Sequence, residues 1–132
     1  MSHFTCIKTK IIDLDELVGA LQDMGYSPEV GNDIRLYGYQ GDLRQDTADV
    51  VIRRKELSSA SNDLGFAKSD DGMYDAIISD YDRHKFPKLV NEITQHYAER
   101  VILKSATIQG YNTVERQVMA DGSIRLRMEQ WT

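Results

Sequence analysis

The chain has 132 residues, 41% hydrophobic and 28% charged, with a formal net charge of −5. That composition is ordinary for a globular protein, and the length allows one domain over residues 1–132 with a core that needs no staples. A single cysteine, Cys6, excludes an intrachain disulfide and a thiolate metal cage. The acidic balance argues against indiscriminate phosphate binding, although residues 83–132 are net basic behind an acidic front. The opening "MSHFTCIKTKIID" has no apolar leader segment, and no stretch approaches the ~18 apolar residues of a membrane span. A cytoplasmic protein without a span is predicted.

"HFTCIKTKI" alternates and is rich in strand formers, so it predicts a first strand with Phe4, Cys6 and Lys8 on one face and Thr5, Ile7 and Thr9 on the other. In this reading Cys6 is a buried small hydrophobe and not a nucleophile. Asp13 follows as an N-cap, with Glu16 three residues on in capping-box spacing. Leu14, Leu17, Val18 and Leu21 form one helical stripe, which Gly25 ends in a left-handed conformation. A hairpin is then expected around Gly31-Asn32-Asp33, pairing Val30 with Ile34 and Glu29 with Arg35. Residues 48–53 read as a strand, and residues 40–47 and 54–62 as polar loops.

A further hairpin closes at Asp70-Asp71-Gly72, which sets Phe66 opposite Ala76 and Leu64 opposite Ile78. The longest helical pattern spans residues 86–108 through Phe86, Leu89, Val90, Ile93, Tyr97, Val101 and Ile108; Pro87 holds its start near Lys85, and Gly110 ends it. The last hairpin closes at Ala120-Asp121-Gly122, because this bulged loop sets Val118 opposite Ile124 and Val114 opposite Met128. Its other face then carries Gln117–Arg125, Glu115–Arg127 and Tyr111–Trp131, while Arg116 falls awkwardly opposite Leu126. Strand, helix, Gly-Tyr and hairpin thus occur twice. The predicted fold is α+β: a largely antiparallel sheet of hairpins with two main helices on one face and an internal βαββ repeat.

The start "MSHFTCIKTKI", the segment "DLGF…DDGMYDAIISD" and the ending "GYNTVERQVMADGSIRLRMEQW" together resemble the uncharacterised family of hypothetical chloroplast reading frames number thirty-five, over nearly the whole chain. The resemblance implies a soluble protein of a cyanobacterium or plastid stroma. It implies no established activity and no catalytic residues. Bacterial relatives near genes for AAA-type ATPases point to an accessory role.

Two constellations are candidates. "YDRHKF" gathers Asp80, Tyr81, Asp82, Arg83 and His84 at a strand-to-helix junction, where a His beside carboxylates could serve as a general base. Its structural alternative is that Asp80 or Asp82 caps the helix. The second candidate is the outer face of the last hairpin, where Tyr111, Arg125, Arg127 and Trp131 share one surface of the aromatic and Arg type found in binding hot spots. Its structural alternative pairs Arg127 with Glu115. His3, His84 and His96 lack metal spacing, no phosphate-binding glycine loop or nucleophile elbow occurs, and no cofactor is indicated. The leading expectation is a non-catalytic accessory protein binding a protein partner, with an AAA-type ATPase as the candidate the resemblance supplies. The alternatives are a nucleic-acid-binding module using the C-terminal hairpin and, more weakly, an enzyme using Asp82 and His84.

Overall fold

The computed structural model describes residues 3–58 and 60–130. In chain order they form β1 (Phe4–Ile7), α1 (Leu14–Asp23), β2 (Glu29–Tyr37), β3 (Leu43–Ile52), β4 (Leu64–Lys68), β5 (Tyr74–Ser79), α2 (Phe86–Ile108), β6 (Tyr111–Val118) and β7 (Ile124–Gln130). Strands β1-β5-β4-β3-β2 make a five-stranded antiparallel sheet, and β6-β7 a separate two-stranded one. The α+β expectation holds. The βαββ order recurs in β1–β3 and β5–β7, but the second hairpin leaves the main sheet.

Local signals start and stop the helices as expected. The Asp13 carboxylate accepts the Glu16 N–H at 3.2 Å. At the other end of α1, Gly25 has φ 93° and the Tyr26 N–H reaches the Leu21 carbonyl, which completes a Schellman turn. Leu17, Ala20 and Leu21 meet Val90, Ile93 and Tyr97 of α2 over the sheet face made by Val50, Phe66, Ala76 and Ile78. The Tyr97 hydroxyl also accepts the N–H groups of Ile12 and Asp13, each at 3.1 Å, so α2 fixes the chain where it enters α1. No helix among the described residues is long and apolar enough to cross a membrane.

The expected hairpin at Gly31-Asn32-Asp33 does not form. Those residues are a bulge inside β2, with Asp33 at φ 53°, and β2 pairs with β3 through Val30–Val50 and Ile34–Ala48. Face matching over residues 29–35 alone could not separate a turn from a bulge. The longer partner lies downstream, where residues 43–47 are strand and not loop. The real turn is Tyr39-Gln40-Gly41, with Gly41 at φ 80°. It shares its backbone bonding with the loops at Asp70-Asp71-Gly72 and Ala120-Asp121-Gly122, each ending in a glycine of positive φ. Phe66–Ala76, Val118–Ile124, Gln117–Arg125 and Glu115–Arg127 pair as expected.

The bulge also bends the β2–β3 hairpin over the sheet's second face. Leu36 and Ala48 are fully buried with Val51 and Ile77, and the Arg44 guanidinium reaches the Phe4 ring on β1 at the far edge, 5.7 Å from its centroid. Cys6 faces this side but is exposed, contrary to the expectation of burial, because β1 is an edge strand and Thr5 and Ile7 take the inward positions.

Candidate functional site

Between β3 and β4 the segment Ser61-Asn62-Asp63 is fully buried although all three side chains are polar. Burial on this scale requires bonded partners for each group. The Asp63 carboxylate accepts the N–H of Tyr37 at 2.7 Å, the N–H of Arg54 at 2.8 Å and Nη1 of Arg53 at 2.7 Å. Arg53 also pairs with Glu29 across the sheet edge and stands 5.4 Å over the Tyr37 ring. That hydrogen bond from Arg53 holds the Glu29 carboxyl below the usual glutamate range, and the same bond raises the Arg53 guanidinium further.

Asn62 continues the seam. Its Oδ1 accepts the Tyr39 N–H at 3.0 Å, while its own N–H and Nδ2 donate to Asp82 Oδ2 at 3.1 and 3.0 Å. Lys85 Nζ donates to Ser61 Oγ at 2.8 Å and lies 3.7 Å from Asp82 Oδ1. The Tyr39 and Tyr81 rings stack above it, centroids 5.7 Å apart. An open cleft of about 530 Å³, lined by Tyr37, Gly41, Arg53, Arg54, Lys55 and Asp63, lies beside this seam. Among the described residues its lining has no histidine, cysteine or serine and offers charge and aromatic surface.

The predicted polar cluster is therefore split. Asp82 is buried in the seam, whereas Arg83 and His84 point to solvent. Neither acid caps α2: Lys85 occupies the N-cap position without a side-chain bond, and Ser79 caps the short 3₁₀ turn Asp80–Asp82. His84→Ala should leave stability within about 0.5 kcal/mol of the parent, whereas Asp82→Ala should cost about 2–3 kcal/mol by leaving Asn62 without its acceptor. Urea denaturation of the two variants checks the contrast; equal losses would mean that Asp82 is not the anchor of this seam.

The hairpin face is reorganised by a bulge at Val114. It sets Thr113, not Val114, opposite Met128, and Tyr111 opposite Gln130. Tyr111 thereby joins Met128 on the side facing α2 and leaves the face that carries Arg125 and Arg127. Trp131 lies outside the described residues. Arg127 is bonded to Glu115 at 3.4 Å and to Glu129 at 3.3 Å, the pairing foreseen as the structural alternative. Arg116, the awkward cation of the sequence reading, reaches α2 and forks onto Glu99, with Nη2 3.0 Å from Oε1. It is the joint between hairpin and helix.

Sequence reasoning missed what this joint exposes. Helix α2 has 23 residues, about 35 Å, but its buried positions end at Glu99. The apolar stripe continues without cover, with Val101 38% exposed and Ile108 79%, and Ile102 beside it is 50% exposed. A groove of about 450 Å³ runs between helix and hairpin, lined by Val101, Ile102, Ser105, Ala106, Gln109, Tyr111 and Met128. The helical period gave the stripe, but only the packing shows where the core stops.

A family model described as "Protein of unknown function (DUF1257)" matches residues 20–127. The chain is 32% identical over 135 residues to a protein of Guillardia theta and 29% identical over 137 residues to one of Cyanophora paradoxa. Both carry the name "Uncharacterized protein ycf35", and each alignment covers 99% of this chain and 98% of the relative. A protein of the same name from Pyropia yezoensis is 29% identical over 136 residues. No solved structure matches the chain. A match over most of the length, taking in β2 to β6, all of α2 and parts of α1 and β7, makes the chain a member of the DUF1257 family.

Proposed function

We propose that the protein is a non-catalytic accessory protein that docks a protein partner in the groove between the distal half of α2 and the β6–β7 hairpin. The observation that carries this reading is the uncovered apolar stripe. Val101 and Ile102 stand exposed on α2 and line the groove together with Tyr111 and Met128 of the hairpin, on an arm outside the main core. Contiguous apolar surface of this kind marks interaction sites more often than chance exposure does. An AAA-type ATPase is the partner candidate, nominated by the resemblance of the sequence alone. The nucleic-acid alternative is less well supported, since Tyr111 lies away from the arginines and Arg127 is bonded to two glutamates. The enzyme alternative lacks convergence, with Asp82 buried and His84 exposed.

An affinity pull-down from the native host, with and without nuclease, tests this reading against a double variant, Val101→Asp with Ile102→Asp. Both positions are exposed, so folding should change by less than about 1 kcal/mol. A captured protein should survive nuclease and disappear with the double variant, because buried apolar anchors carry ~2 kcal/mol or more each. Capture that depends on nucleic acid, or that the double variant retains, would move the function elsewhere.

A further inference from the structure

Among the described residues four strands have an open side, and three of them are blunted. β1 is four residues long and runs into Lys8 and Lys10. The Gly31–Asp33 bulge interrupts β2, and the Val114 bulge interrupts β6, the strand on which α2 chiefly packs. Short length, lysines and bulges are the devices by which sheet edges avoid pairing with other chains. β7 has none of them. Its seven residues, IRLRMEQ, contain neither Lys nor Pro and run without interruption. The Met119 N–H bonds the Ser123 carbonyl at 2.8 Å, which sets the phase of the ladder. The residues at alternate positions, Ile124, Leu126, Met128 and Gln130, therefore turn their N–H and C=O groups to the open side.

We propose that β7 pairs antiparallel with β7 of a second copy of this chain, making a four-stranded sheet across a two-fold axis, with Met128 opposite its counterpart. This register sets Arg127 against Glu129 of the second copy, twice over, and Leu126 against Gln130. Neighbouring registers that keep the same faces together put Arg127 opposite Arg127, Arg125 opposite Arg127, or Glu129 opposite Glu129, and like charges directly opposite are unfavourable. Helix placement selects the strand. With α2 over β6, a β7–β7 junction holds the two α2 helices roughly three strand spacings apart, ~14 Å. A β6–β6 junction would bring them to about one spacing, ~5 Å, whereas packed helices need 8–10 Å. The proposal does not rest on the partner groove, although the two share Met128, because its contacts are the main chain and charges of β7.

Size-exclusion chromatography with light scattering over a dilution series should show the mass of two chains at high concentration falling to one. Met128→Pro removes an N–H that the β6–β7 ladder does not use, so this variant should stay folded by circular dichroism and be monomeric. Arg127→Glu and Glu129→Arg should each raise the dissociation constant about tenfold, since two opposite-charge pairs become like-charge pairs. Mixing these two variants should restore the dimer as a heterodimer, because each strand then meets opposite charges. A wild-type chain that is monomeric at every concentration, a Met128→Pro variant that remains dimeric, or a mixture that stays monomeric would each overturn the proposal.

Discussion

Asp63→Ala is expected to lower folding stability by about 3–5 kcal/mol, the range for breaking a buried charge network by removing one partner. The side chain is fully buried and meets three donors at 2.7–2.8 Å. Truncation leaves the N–H groups of Tyr37 and Arg54 without an acceptor and leaves Arg53 with Glu29, whose side chain is 51% exposed. Asp63→Asn keeps one acceptor oxygen and should fall between parent and alanine variant. The measurement is urea denaturation near neutral pH, where the Glu29–Arg53 pair is intact. Glu29 is held below its ordinary range by Arg53. Its contribution is therefore full above that range and is lost as pH falls through the shifted value. A loss below about 1 kcal/mol for Asp63→Ala would mean that water replaces the carboxylate and that the seam is not a structural anchor.

What was legible in the sequence is what local chemistry decides. Pro87 and Gly110 bracket α2 because a proline is tolerated only in the first turn and a left-handed cap favours glycine; the helix runs Phe86–Ile108, as read. The Asp-Gly loops were equally readable, since the glycine in each case supplies the positive φ that ends the turn. The β2–β3 hairpin was not. Its partner strand includes Thr47 and Leu43, in a polar run whose pairing depends on contacts a local pattern does not contain. Ser61 and Asn62 read as a loop for the same reason, and Asp63 drew no reading of its own. Polar residues are buried when distant groups bond them, and here those groups come from Tyr37, Tyr39, Arg53 and Asp82. Among the candidate residues, Arg125 and Arg127 share a face as expected, but a single bulge at Val114 carries Tyr111 to the other side. Strand alternation has a period of two, so one inserted residue reverses every assignment beyond it.

Gly65→Val should cost about 3 kcal/mol, at the upper end of the range for overpacking a full core. Gly65 lies mid-strand in β4, between Val51 of β3 and Ile77 of β5. A glycine there weakens a strand unless another element must come close. That element is the folded-over hairpin: a Cβ at Gly65 would sit 2.6 Å from Ala48 Cβ and 3.2 Å from Leu36 Cδ2. Both neighbours are buried, and the Ala48 Cβ is bonded directly to backbone, so neither can swing aside. Relief requires the hairpin to lift. Gly65→Ala paired with Ala48→Gly exchanges the methyl groups and should recover much of the loss of Gly65→Ala alone, a coupling that a double-mutant cycle measures directly. Hydrogen exchange should quicken at residues 34–48 in Gly65→Val more than in α2, because the hairpin carries the displaced contact. The cleft beside Asp63 would open with it, since the Tyr37 and Tyr39 amides that bond Asp63 and Asn62 belong to the same hairpin. A Gly65→Val protein as stable as the parent, with unchanged exchange at residues 34–48, would show that the hairpin is not seated on the sheet.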